Sequence, residues 1–215
     1  MLKRRGLQLG FTLVEISIAL GVLAILIALA VPTFGEWLQN QQTRAATEAT
    51  LNGLQVARAE AVRRNAQVRF QFVTDLTAGC DISAVNLNWV VSVGTPKNAC
   101  NQPIDAVAPA VPGPVIQSKA AQEVSPNAIV FVTPAGAPPS FVTFNGLGGV
   151  VSPNADGSAP ITTIDICNPA IGGANTRPLR VIVSPGGSIR MCDPKVADVT
   201  DARACPTPGT NANCP

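Results

Sequence analysis

Gly10-Phe11-Thr12-Leu13-Val14-Glu15 opens an almost unbroken apolar run that ends at Phe34. Lys3, Arg4 and Arg5 form a short basic leader in front of it. A helical run of about twenty apolar residues crosses roughly 30 Å of hydrocarbon at about 1.5 Å per residue. The basic leader sets the orientation, with the leader in the cytoplasm. One carboxylate, Glu15, stands inside this stretch. An ionised carboxylate at membrane depth costs about 3 kcal/mol on insertion scales, so such a residue is read first as functional. Two plainer readings stay open. Ala28-Leu29-Ala30 has the form of an ordinary signal-peptidase site, and an uncleaved anchor explains the length of the run but not the residues at its head.

Leader, motif and apolar run together resemble the class III signal and N-terminal helix of type IV pilins and type II secretion pseudopilins. The resemblance implies that a prepilin peptidase cuts after Gly10, that the new terminus Phe11 is N-methylated, and that Glu15 drives subunit assembly. It implies a single-pass protein of the bacterial inner membrane with its head in the periplasm. An inner-membrane assembly platform then passes the subunit into a filament of other pilins or pseudopilins. The nearest cation for Glu15 is a neighbouring subunit's free N-terminal amine. Pairing the two in a dry helical bundle offsets the desolvation of both and fixes the axial register.

The chain has 215 residues, enough beyond the helix for one globular core. Histidine and tyrosine are absent and the aromatic fraction is 4%. Cleavage after Gly10 removes three of the 15 basic side chains and leaves 12 against 13 acidic ones. The mature chain is close to neutral, so no global basic character argues for nucleic acid.

Cys80, Cys100, Cys167, Cys192, Cys205 and Cys214, in an exported chain, point to disulfides. Six cysteines allow fifteen connectivities, among which the sequence does not choose. Because short loops close most readily, the expectation is sequential pairing: Cys80–Cys100, Cys167–Cys192 and Cys205–Cys214. Zinc is excluded by the absence of any CxxC pair and of histidine.

Beyond the apolar run, Pro32 and Gly35 are expected to interrupt the helix. From Glu36 to about Asn65 the residues are again helix formers. Leu51, Leu54, Ala57, Ala61 and Val62 give a narrow apolar stripe suited to lie on a sheet. Arg44, Arg58, Arg63 and Arg64 fall mostly on the other side, as a solvated face with Glu48 and Glu60 as partners. From Val68 the period changes to two. Strands are expected at Val68–Phe72, Trp89–Val93, Ile129–Thr133, Phe141–Asn145, Ile161–Cys167, Leu179–Ser184 and Ser188–Cys192. Thr95–Pro126, rich in Pro, Ala and Asn, is expected to be a long surface loop. The fold class is α+β, a pilin fold in which one long helix packs on an antiparallel sheet. Its parts are the leader 1–10, the assembly helix 11–35, the amphipathic continuation 36–66, a β-rich head 67–194 and an irregular, disulfide-tied tail 195–215.

The stretch from Arg177 through Arg180-Val-Ile-Val-Ser-Pro-Gly-Gly-Ser-Ile-Arg-Met to Cys192-Asp193-Pro194 is similar to the C-terminal signature of the GspH/FimT group of minor pilins. That group ends in a strand, a Gly-rich turn and a Gly-Arg-x-Arg element followed by Cys-Asp-Pro. Some members bind DNA for natural transformation, with the two arginines implicated. Here Gly187-Ser188-Ile189-Arg190 keeps the second arginine and has serine in place of the first. A three-residue loop, Pro185-Gly186-Gly187, sets Ser184 opposite Ser188 and brings Arg180 and Arg190 onto the outer face. With Arg177 and Lys195 they form a modest basic patch able to contact DNA phosphates. The plainer reading is polar side chains on the open face of a sheet.

Catalysis is not expected. Without histidine there is no Ser-His-Asp or Cys-His arrangement. Asn154-Ala-Asp156-Gly157 faintly resembles a calcium loop but lacks the first aspartate and the final glutamate, and reads more simply as a turn. No cofactor and no metal are implied.

Overall fold

The computed structural model describes residues 11–102, 104, 115–135, 141–171 and 175–206, and for 29–33 the backbone alone. The leader through Gly10, and Cys214, lie outside the described residues. The chain divides after Leu38 into two compact units.

Helix α1, Leu13–Arg64, belongs to both. It continues as helix through Pro32 and Gly35, where the sequence predicts an interruption. In the first unit every side chain from Phe11 to Ala28 is exposed. Among the described residues no helix is long and apolar enough to cross a membrane. The apolar run expected to reach Phe34 passes through 29–33, whose side chains are outside the description.

In the second unit α1 buries Thr43, Ala46, Thr47, Thr50, Leu54, Ala57 and Ala61. Their steps of three and four residues make one stripe. The stripe is smaller and more polar than expected. Leu51 is only half-buried, and Val62 is 51% exposed, which removes it from the stripe. The threonines fit because each hydroxyl donates to a carbonyl one turn back: Thr43 to Gln39, Thr47 to Thr43 and Thr50 to Ala46, at 2.8–3.1 Å. Gly53 lets the helix come close. A Cβ there would stand 2.9 Å from both the Phe70 and Trp89 rings. The helix stops with Asn65 at φ 47°, and Ala66 N–H donates to Ala61 O at 3.1 Å, a Schellman ending.

Among the described residues eight strands follow: β1 Val68–Val73, β2 Asn88–Ser92, β3 Val115–Lys119, β4 Ile129–Thr133, β5 Val142–Phe144, β6 Thr163–Cys167, β7 Leu179–Val183 and β8 Ile189–Cys192. They form two four-stranded sheets, β3-β2-β1-β5 and β4-β6-β7-β8, with antiparallel pairing throughout. One sheet was expected, and the strand β3 falls inside the expected loop Thr95–Pro126. Both sheets and the helix share one core. Phe70, Phe72, Trp89, Val142 and Phe144 come from the first sheet, and Val130, Ile164, Ile166 and Val181 from the second. Burying each such side chain is worth about 1.5–3 kcal/mol. A smaller cluster, Val73, Val90 and Val115 around Cys80 and Cys100, closes the other side of the first sheet.

The disulfides differ from sequential pairing. Cys80 joins Cys100, but Cys192 joins Cys205. The expected Cys167–Cys192 and Cys205–Cys214 bonds are therefore replaced. Cys167 is also disulfide-bonded. The physical reason lies in the tail, which turns back on β8. Asp193 bridges Ala204, and Asp193 N–H donates to Arg203 O at 2.7 Å, setting Cys205 beside Cys192.

Candidate functional site

At the head of α1, Thr12 Oγ1 accepts the Glu15 backbone N–H at 3.2 Å. A threonine followed three residues on by glutamate is the capping-box pattern, and it starts the helix here. Phe11 is 78% exposed and the Glu15 side chain is exposed. Glu15 thus stands in the first turn, where the helix dipole favours negative charge. Thr12 was absent from the expected site, although the Thr-x-x-Glu spacing is its signal.

At the other end of the chain the strand–turn–strand has the expected register. Val183 pairs with Ile189, Ser184 N–H donates to Ser188 O at 2.9 Å, and Gly187 turns at φ 78°. Arg180 opposes Cys192 and Ile182 opposes Arg190, so both arginines are on one face. That face is not open along its length. Arg180 is 5% exposed, and its Nε and Nη2 meet Asp165 Oδ1 and Oδ2 at 2.6 and 2.9 Å. Asp165, itself 3% exposed, is its cross-strand partner on β6. Arg180 is therefore corrected from a surface contact to half of a buried ion pair. Cys192 stands beside it, and its disulfide brings Cys205 back over this end of the sheet. Arg177, Arg190 and Lys195 are exposed. The Arg177 backbone N–H donates to Asn40 Oδ1, and Lys195 Nζ donates to Thr176 O. The structure thus keeps three of the four expected basic residues at the surface. Asp165 was missed, although a lone acid between Ile164 and Ile166 signals a buried partner.

The arginines of α1 follow the expected pattern with one change. Arg44 pairs with Glu48 at 2.8 Å, and Arg63 and Arg64 both pair with Glu60, at 2.6 and 2.7 Å. The two guanidiniums hold the Glu60 carboxyl at about 2. Arg58 instead donates from Nε to Gly148 O at 3.0 Å. Gly187 lies against the same carbonyl, which a Cβ would strike. This junction ties helix, β5 loop and β7–β8 turn together. Arg69 stacks 3.7 Å over the Phe141 ring, and burial lowers its pKa against the pull of Asp156. Asp156 itself accepts Ser158 N–H and Oγ, closing a turn. Among the described residues no group of His, Cys, Asp and Glu is placed to hold a metal ion.

A family model described as type II transport protein GspH matches residues 46–187. The chain belongs to the GspH family, within the type IV pilin and pseudopilin superfamily. Its structure is similar to that of the type IV minor pilin FimU of Pseudomonas aeruginosa. The identity is 17%, covering 69% of this chain and 90% of that one, with a TM-score of 0.41. No curated protein sequence matches the chain.

Proposed function

We propose that this chain is a minor pilin or pseudopilin that is processed at Gly10–Phe11 and assembled into a type IV pilus or a type II secretion pseudopilus. The observation that carries the reading is the pairing of a GspH-family head with the Gly10–Glu15 motif, which heads a helix whose side chains are exposed from Phe11 to Ala28. A helix that is apolar all round buries itself in a membrane or among other helices. The subunit waits in the inner membrane with its head in the periplasm, is cut by prepilin peptidase and methylated at Phe11, and joins other pilins through the assembly platform. Glu15 then takes the N-terminal amine of a neighbour and sets the register. Nothing in this role is catalytic.

Binding of DNA for uptake is the weaker reading. It needs an open basic face, and Arg180 gives its guanidinium to Asp165.

The test is the intact mass and N-terminal sequence of the protein purified from its native membrane. A methylated phenylalanine at Phe11 is expected. A start at Val31, or an intact Met1, overturns the proposal.

A further inference from the structure

Aromatic side chains are few, and apart from the half-buried Phe131 they fall into two groups. Phe70, Phe72, Trp89, Phe141 and Phe144 are at most 2% exposed, whereas Phe11, Phe34 and Trp37 are 78%, 62% and 55% exposed. The exposed three sit on the N-terminal segment, at the two ends of its apolar run. From Phe11 to Phe34 the helix rises about 35 Å at about 1.5 Å per residue, close to the roughly 30 Å of a hydrocarbon core.

Phe34 and Trp37 pack together, with ring centroids 5.6 Å apart. At about 3.6 residues per turn they share one helix face with Leu38, which is 45% exposed, and Glu36 falls on the opposite face. Polarity changes immediately afterwards, at Gln39-Asn40-Gln41-Gln42. A Trp–Phe pair at such a step suits a headgroup boundary, where the indole ring sits in hydrocarbon and its N–H reaches water.

We infer that Phe34, Trp37 and Leu38 form a one-sided interfacial anchor that rests in the periplasmic headgroup layer and sets the depth of the unassembled subunit. The inference rests on the membrane-inserted stage of the proposed function. Its occupant is the lipid boundary, because the patch stands at the end of the apolar run of the sequence and polar residues follow it at once.

The chain carries a built-in reporter. It has two tryptophans, and Trp89 is 2% exposed in the head core, beyond the reach of lipid. The full chain is reconstituted in phosphatidylethanolamine–phosphatidylglycerol vesicles containing lipid brominated either beside the headgroup or near the chain ends. The expected result is co-flotation with the vesicles and quenching of one tryptophan, stronger with the shallow bromine and lost in Trp37→Phe. Vesicle-bound protein whose emission ignores the shallow bromine, or answers only the deep one, overturns the anchor and leaves the membrane stage intact. Emission that answers dilution of the protein and not the bromine assigns the patch to a second copy, which also overturns it. Failure to float sinks the membrane stage, and the anchor with it.

Discussion

Arg180 and Arg190 occupy the same face of the β4-β6-β7-β8 sheet, two residues apart in register, yet one is 5% exposed and the other lies in solvent. At the Arg180 end, Asp165, Arg180 and Cys192 form a row across three strands, and the returning tail closes over it. At the Arg190 end the neighbours Ile182 and Thr163 are only half-buried. Strand alternation decides which face a side chain takes. What lies above that face is decided by chain far away in sequence.

The sharpest break of this comparison is Arg180→Ala. It leaves the Asp165 carboxylate buried without its cation, at a cost of about 3–5 kcal/mol. Urea denaturation of the full chain at neutral pH reads the loss. Replacing both partners together, Arg180→Met with Asp165→Leu, is expected to recover most of it, because a well-packed apolar pair carries no desolvation cost. If the single change is neutral, the pair is wetter than its geometry indicates.

Next in size is the cover itself. Cys192→Ser with Cys205→Ser opens a loop of 13 residues, a loss of about 3 kcal/mol. Limited proteolysis then cuts within residues 193–206 before it cuts the strands. Unchanged proteolysis would mean that the Asp193–Ala204 bridge, and not the disulfide, holds the tail down.

How far each of these features was legible in the sequence follows the same division. The β7–β8 register was readable because three residues, Pro185-Gly186-Gly187, leave the chain few ways to turn. The β6–β7 pairing that joins Asp165 to Arg180 was not: Asn168-Pro169 and Gly172-Gly173 signal a turn, but a connection as long as 168–178 does not set which residues of the two strands meet. Sequential disulfides followed from loop-closure entropy alone, which knows nothing of a tail folding back on β8. Strand β3 was hidden by the proline-rich residues before it, and it owes its place to pairing with β2. Along α1, helix content was plain from composition, and so were Leu54, Ala57 and Ala61 of the buried stripe, but its first half was not. Thr43, Thr47 and Thr50 read as polar until their hydroxyls are seen returning to the helix's own carbonyls. The family match, at residues 46–187, spans the middle of the chain that motif reading left unmatched, while Gly10–Glu15 lies outside it.

Glu60 offers the same chemistry as Asp165 in a wetter setting. Arg63 and Arg64 flank it at helix spacing, and Arg63 is largely exposed. Glu60→Gln is expected to cost about 0.5 kcal/mol, the scale of helix-surface pairs. The folded carboxyl titrates near 2, below its ordinary 4.5, so its contribution is fully present above pH 4.5 and is lost as pH falls through about 2. The stability gap between wild type and Glu60→Gln should therefore shrink over that window. A constant gap would show that the pairs do not stabilise the helix end.

The smallest effect expected is that of Arg190→Ala, and it is the one that isolates the surface reading. Arg190 is exposed and belongs to no ion pair among the described residues, so its loss should change stability by less than about 0.5 kcal/mol. Any phosphate contact at this end would have to come from Arg190 with Arg177 and Lys195, since Arg180 is committed to Asp165. Removing Arg180 together with Arg190 would mix unfolding with lost phosphate contacts, whereas Arg190→Ala alone leaves the fold untouched. Retention of the full chain on immobilised duplex at low salt is expected to be the same for wild type and Arg190→Ala. A drop that is uniform across DNA sequences, with the salt slope falling by about one, would instead make Arg190 a phosphate contact and revive DNA uptake for this face.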